Sequence, residues 1–201
     1  MEPYLQTTVF TTAASSLLTI LHYFNPEIKL SKDNEFKIWQ STVILPTRAS
    51  SIFALADYAL KEKLNLQVIV ESKNYEFPDY RFYRYKKEDV ENATFSSRLY
   101  LKNAKKNNLE IVERKITLDD VKELLLENVL LLRINTKPIR GEKRNTSNFI
   151  VLHGYDGNYF HIIDPQSGGL SISEEIMEES FSTLETKKYR DHQMIVFKKN
   201  L

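Results

Sequence analysis

The chain has 201 residues and no cysteine. That absence excludes disulfides, thiolate metal sites and a cysteine nucleophile together. Charge of one sign is also missing: 28 Lys and Arg face 27 Asp and Glu, leaving a formal charge of +1. Composition therefore gives no argument for a polyanionic partner, and no nucleic-acid role is expected. No apolar run approaches the roughly 20 residues that a membrane span requires. The opening Met1-Glu2-Pro3-Tyr4-Leu5 has neither a basic nor an apolar signal region, so a cytoplasmic protein is expected. There is no internal repeat and no low-complexity segment. What the chain does have is 42% apolar residues, enough for one domain over 1–201.

Apolar spacing organises the rest. Ala14, Leu17, Leu18, Leu21 and Phe24 recur at helical spacing. Thr11 or Thr12 is expected to cap this helix, and Asn25-Pro26 to stop it. Further helices are predicted over 50–63, 90–106 and 117–127, the last opened by a capping box at Thr117-Leu118-Asp119-Asp120. Strands are predicted over 64–71, 109–116 and 129–134, with 193–198 as a closing edge strand. Asp156-Gly157-Asn158 separates two more strands as a hairpin turn. Residues 135–146, rich in Lys, Arg and Asn, read as a flexible loop. Helices first and strands late suggest α+β. Tyr75 to Lys87 interleaves aromatic and basic residues like a stacking platform, but Glu76, Asp79, Glu88 and Asp89 offset its charge. It reads as a strand crossing the domain, with a peptide contact left open.

Hydroxyl, amide and carboxylate side chains gather in two segments. One runs from Gln6-Thr7-Thr8 through Thr11-Thr12-Ala13-Ala14-Ser15-Ser16; the other runs from Ser147-Asn148 through His153-Gly154-Tyr155-Asp156 to Ile163-Asp164-Pro165. Together they resemble the peptidase C39-like family of papain-like cysteine hydrolases. There the first segment ends in a nucleophilic cysteine opening a helix, and the second holds a histidine and an aspartate. Phe36-Lys37-Ile38-Trp39, the helix after it, Tyr80-Arg81-Phe82 and Met194-Ile195-Val196-Phe197 follow the family pattern more loosely. The resemblance implies a papain-like α+β fold, with N-terminal helices packed on a mostly antiparallel C-terminal sheet. By motif position, Thr12 takes the place of the nucleophile and Asn148 that of the base. Asp164 matches the orienting aspartate, and Gln6 the oxyanion-stabilising glutamine.

These residues depart from the chemistry such a site needs. A threonine hydroxyl requires a general base, and threonine nucleophiles use their own chain's α-amine, which an internal Thr12 lacks. At a helix start its ordinary role is to cap the free amides. A carboxamide at 148 orients a partner but does not shuttle a proton. Ala13 and Ala14 replace the family's Gly-Pro, adding a methyl where close approach is wanted. Gln6 and Asp164 persist, but a glutamine can serve a loop and an aspartate before proline a turn. The expected function is a catalytically degenerate homologue whose cleft binds a peptide or protein tail. The rival readings are a hydrolase or acyl transferase using Thr12 or Ser15, with a base such as His153, and an architectural subunit. No cofactor and no metal is expected, and oligomeric state is left open.

Register supplies a geometric expectation. A three-residue loop pairs Ile150 with Asp164, makes Asn148 and Asp164 diagonal neighbours, and sets His153 opposite His161. Gly157 or Asn158 then takes positive φ. Two histidines lack a third metal ligand, so they read as a partly buried polar pair. His22 and His192 have no recognisable context.

Overall fold

The computed structural model describes residues 1–74, 85–185 and 191–199. Its first half runs α1 (Thr12–Phe24), α2 (Lys32–Thr42), a short hairpin of β1 (Val43–Ile44) and β2 (Ala49–Ser50), α3 (Ile52–Lys61) and β3 (Leu66–Val70). Then come α4 (Lys87–Lys106), β4 (Ile111–Glu113), α5 (Leu118–Leu125), β5 (Asn128–Asn135) and the single turn α6 (Lys137–Arg140). The chain continues through β6 (Ser147–Tyr155), β7 (Tyr159–Asp164), β8 (Gly168–Ser173), α7 (Glu174–Ser182) and β9 (Gln193–Lys198).

Seven strands form one sheet in the order β4-β3-β9-β5-β6-β7-β8. Among the described strand pairs only β3–β4 is parallel. Alternation along the strands divides two cores. Val129 and Leu131 of β5 face the helices α1 and α3, together with Phe149, Ile195 and Phe197. Leu130, Leu132 and Ile134 face the other way, with Val121 and Leu125 of α5 and Met177 of α7. The α+β architecture and mostly antiparallel sheet expected from the sequence are thus present, with helices on both faces.

Helix α1 lies deep because every residue from Ala13 to Leu21 is buried. Leu17 and Leu18 are fully enclosed, and each such side chain contributes about 1.5–3 kcal/mol of apolar burial. Its polar residues are matched one by one. Ser15 Oγ donates to the Tyr4 carbonyl at 2.7 Å, Ser16 Oγ to the Phe149 carbonyl at 2.9 Å, and Thr19 Oγ1 accepts the Tyr4 amide at 3.0 Å. The N-terminal segment is strapped over α1 in this way. Glu35, fully buried in α2, accepts the Thr7 amide at 2.9 Å and the Tyr4 hydroxyl at 3.3 Å. Burial and the neighbouring Glu35 push the Tyr4 hydroxyl up to about 12.

Several expectations are corrected. Gln193 to Lys198 is no edge strand, since β9 lies between β3 and β5. Its unbroken run Met194-Ile195-Val196-Phe197 is buried on both faces, as a central strand must be. Residues 32–42 form a helix that apolar spacing does not announce, because only Glu35, Ile38 and Thr42 are buried. Its start is a side-chain cap, Ser31 accepting the Asn34 amide. β8 and α7 were likewise not expected. The loop 135–146 contains α6 and is pinned at its ends, with the Thr136 amide donating to the Thr146 carbonyl at 2.8 Å. Of the aromatic and basic segment, residues 75–84 lie outside the described residues; Tyr85 donates through its hydroxyl to the Thr47 carbonyl. No helix among the described residues is long and apolar enough to cross a membrane.

Candidate functional site

The start of α1, the start of β6 and the end of β7 meet at one place. Thr11 is the N-cap residue of α1 but makes no side-chain cap bond; its hydroxyl instead meets Thr8 Oγ1 at 2.9 Å. Thr12 is the first helical residue, and the capping role expected for its hydroxyl is not what it performs. A guanidinium only donates, so the Asn148 amide turns its oxygen to Arg140 Nη1, at 2.9 Å. Its nitrogen then donates to Thr12 Oγ1 at 3.3 Å and to the Ser147 carbonyl at 3.1 Å. The opposite amide orientation reaches Thr136 Oγ1 at 3.4 Å, but it sets donor against donor at Arg140.

Arg140 is the residue that sequence reasoning missed. Its Nε and Nη2 donate to the two carboxylate oxygens of Asp164, at 3.0 and 2.5 Å. The Asp164 side chain is fully buried and that of Arg140 is 5% exposed, so this is an enclosed bidentate pair. Glu142 adds a second carboxylate 3.5 Å from Nη1. The Ser167 amide donates to Asp164 Oδ2 at 3.1 Å, so Asp164 also starts the turn expected before Pro165. Thr12, Asn148, Arg140 and Asp164 form one hydrogen-bonded chain. Asn148 and Asp164 both bond Arg140, which stands between them. The local signal was Pro138 in the first turn and Gly141 at the C-cap with φ 64°. Pro at the start and Gly at the end punctuate a helix, which would have placed Arg140 in its last turn.

Gln6 lies beside the same turn, its amide donating to the Pro165 carbonyl at 2.7 Å. Its side-chain Oε1 is buried without a hydrogen-bond partner. Ser15 is not available as a nucleophile, being fully buried and engaged with Tyr4.

In front of Thr12 and Asn148 opens a cavity of about 650 Å³, walled by α1, the β1–β2 hairpin, the start of α3 and β6. Apolar residues such as Phe10, Ile44 and Phe53 alternate with hydroxyls, two arginines and two amides. Gln6 and Asp164 are not among the described lining residues, and neither is any histidine. On its wall Arg133 Nε donates to Ser147 Oγ at 2.7 Å, and Nη1 lies 3.4 Å from Asp191. Burial pushes the Asp191 carboxyl up while Arg133 pulls it down.

The four histidines sit elsewhere. Residues 156–158 separate β6 from β7, with Gly157 at φ 97°, but next to the turn Tyr155 pairs with Phe160 and not with Tyr159 as the expected three-residue loop requires. Val151 pairs with Ile163 as the expected register requires, but a bulge at His153 then sets Gly154 opposite His161. A Cβ at Gly154 would come 3.3 Å from the His161 ring. The His153 and His161 rings still stack, 6.2 Å apart. His161 Nδ1 meets Ser171 Oγ at 2.9 Å, and burial lowers the His153 pKa. His192 stacks on Phe181 and faces Glu71, while His22 meets the Ile28 carbonyl. Among the described residues no cluster of His, Asp and Glu is suited to hold a metal ion.

A helix opening beneath a strand that carries Asn148, with Asp164 at the end of the next strand, is the papain-like arrangement. The likeness extends to a solved structure, a double glycine motif protease from an AMS/PCAT transporter in complex with the leader peptide. It matches with a TM-score of 0.50 at 15% identity, over 98% of this chain and 91% of that chain. The chain itself belongs to the family described as "Peptidase_C39 like family", whose sequence profile matches residues 1–198. No curated protein matches it.

Proposed function

We propose that this is a catalytically degenerate peptidase C39-like protein, a single domain whose cleft binds an extended peptide or protein tail in a regulatory or scaffolding role. The observation that carries the reading is the seating of Arg140 on Asp164, with Asn148 on its other side. A papain-like hydrolase needs a group that takes a proton from the nucleophile and returns it to the leaving group. Here the hydroxyl of Thr12 meets an amide, which cannot play that part. The carboxylate that would orient a base is occupied by a guanidinium. Losing nucleophile and base together removes groups that act as one unit. The open cavity favours a binder over an architectural subunit, and the leader peptide bound by the solved neighbour supports a peptide as the ligand class.

The test is incubation with a defined peptide library, followed by mass spectrometry for new termini and native mass spectrometry for retained peptides. The expected result is retention without cleavage. Turnover that Thr12→Ala abolishes overturns the reading. A stricter arm restores the family residues as T12C/N148H, which is expected to remain inactive while Arg140 holds Asp164.

A further inference from the structure

We propose that the cavity holds its ligand through a carboxylate, bound where the N-termini of α1 and α3 converge, with Ser51 Oγ and Arg48 as its side-chain donors. This deepens the peptide-binding reading and rests on the same cavity.

The argument begins with Ser51. It is 4% exposed, it lines the cavity, and its Oγ has no hydrogen-bond partner. A buried hydroxyl left unpaired costs free energy that a ligand acceptor recovers. Ser51 is the N-cap residue of α3, yet it makes no side-chain cap bond, and the first turn of α3 carries no acid. The same holds for α1, whose first residues Thr12 and Ala13 line the same cavity. Elsewhere the chain caps its helices: Ser31, Thr117 and Ser173 serve α2, α5 and α7, and Asp89 serves α4. Among the described helices, the two longer than one turn that lack such service are the two that open onto the cavity. Free first-turn amides carry partial positive charge and favour an anion.

Side-chain charge has the same sign. No Asp, Glu or Lys is among the described lining residues, while Arg48 and Arg133 are. Arg133 is already offset by Asp191. Arg48 has no ion pair among the described residues; its guanidinium lies 5.6 Å over the Phe10 ring, which positions it while leaving its donors unspent. Its φ of 61° is the left-handed region that a non-glycine residue rarely adopts, and such outliers gather at ligand sites. The hairpin that presents it is fastened by the Tyr85 and Tyr100 hydroxyls on the Thr47 and Val43 carbonyls. One unspent cation matches a monoanion better than a phosphate dianion. The apolar walls suit the side chains flanking a peptide carboxylate.

That carboxylate comes from a peptide C-terminus or from an Asp or Glu side chain, and the experiment separates the two. Amide NMR on the labelled protein is titrated with N-acetyl-L-phenylalanine and with its carboxamide. The acid is expected to shift Thr12, Ala13, Ile52 and Phe53, and the carboxamide to bind about tenfold more weakly. R48Q, on an exposed hairpin, and S51A are each expected to weaken the acid about fivefold without changing the carboxamide. Longer peptides then compare a free C-terminus with an amidated one carrying an internal glutamate, and the tighter binder names the source. Equal binding of acid and carboxamide, indifference to both substitutions, or tighter binding of inorganic phosphate overturns the proposal. If the acid binds as expected and no longer peptide does, the anion site stands and the peptide-tail reading falls.

Discussion

The two ends of β6 carry polar side chains on opposite terms. At the Ser147 end, Asn148 and the pair Arg140–Asp164 are knitted together beside an open cavity. At the Tyr155 end, His153 and His161 stack over a bulge, and neither lines that cavity. The first end has hydrogen-bonding capacity next to ligand space, and the second has imidazole. In a papain-like hydrolase both must coincide, because general-base catalysis requires the imidazole within hydrogen-bond reach of the nucleophile. In this chain Asn148 stands near the start of β6 and His153 towards its end. The contrast teaches that possessing imidazole does not by itself bring it to the residues at the motif positions.

Arg140→Ala tests the first end most severely. It leaves the fully buried Asp164 uncompensated, and breaking such a pair costs about 3–5 kcal/mol. Urea titration is expected to show that loss; a change within experimental scatter would mean that the pair does not organise the site. Ser16→Ala removes the bond from α1 to the Phe149 carbonyl and is expected to cost about 1–2 kcal/mol by the same measurement.

At the other end the expected effect is one of pH. Burial, followed by the charges of the N-terminus, His161 and Lys199, holds the His153 pKa below the ordinary histidine value. The unfolded chain therefore takes up this proton first as pH falls. The stability from a neutral His153 is full above the ordinary histidine value and is lost as pH falls through the lowered folded one. His153→Gln should flatten the thermal-stability profile in that window, whereas Asn148→Ala should leave its slope unchanged. If Asn148→Ala altered the slope, a titrating group would have to be sought at the first end. Thr12→Ala is the smallest change. Its hydroxyl only accepts from Asn148, so stability should shift by no more than about 0.5 kcal/mol.

Much of this arrangement was legible because it is local. The stripe Ala14, Leu17, Leu18, Leu21 makes α1, and Thr117 with Asp120 forms the capping box that opens α5. The β6–β7 turn and its positive-φ Gly157 follow from turn chemistry within a few residues. What escaped was set at longer range. Arg140 sits in a segment whose Lys, Arg and Asn content resembles any solvated loop; only the distant Asp164 gives it a purpose. The bulge at His153 is invisible to period-two reasoning because one extra residue leaves composition unchanged. Glu35 reads as a solvent-facing helical residue until Tyr4 and Thr7 arrive to bond it. Thr12 and Asn148 were found by motif position, but apolar periodicity alone would have passed over both.

The place of β9 has a consequence for how the molecule comes into being. It joins β3 on one side to β5 on the other, and among the described elements it is the last to leave the ribosome. Until then the nascent chain holds two separate ribbons, β4-β3 and β5-β6-β7-β8, each with an unpaired inner edge. Such edges are the templates on which strands from other chains pair. The period between synthesis of β5 and arrival of β9 is thus the time when a chaperone has most to protect. A premature stop before Gln193 would deprive the sheet of its keystone rather than of a fringe.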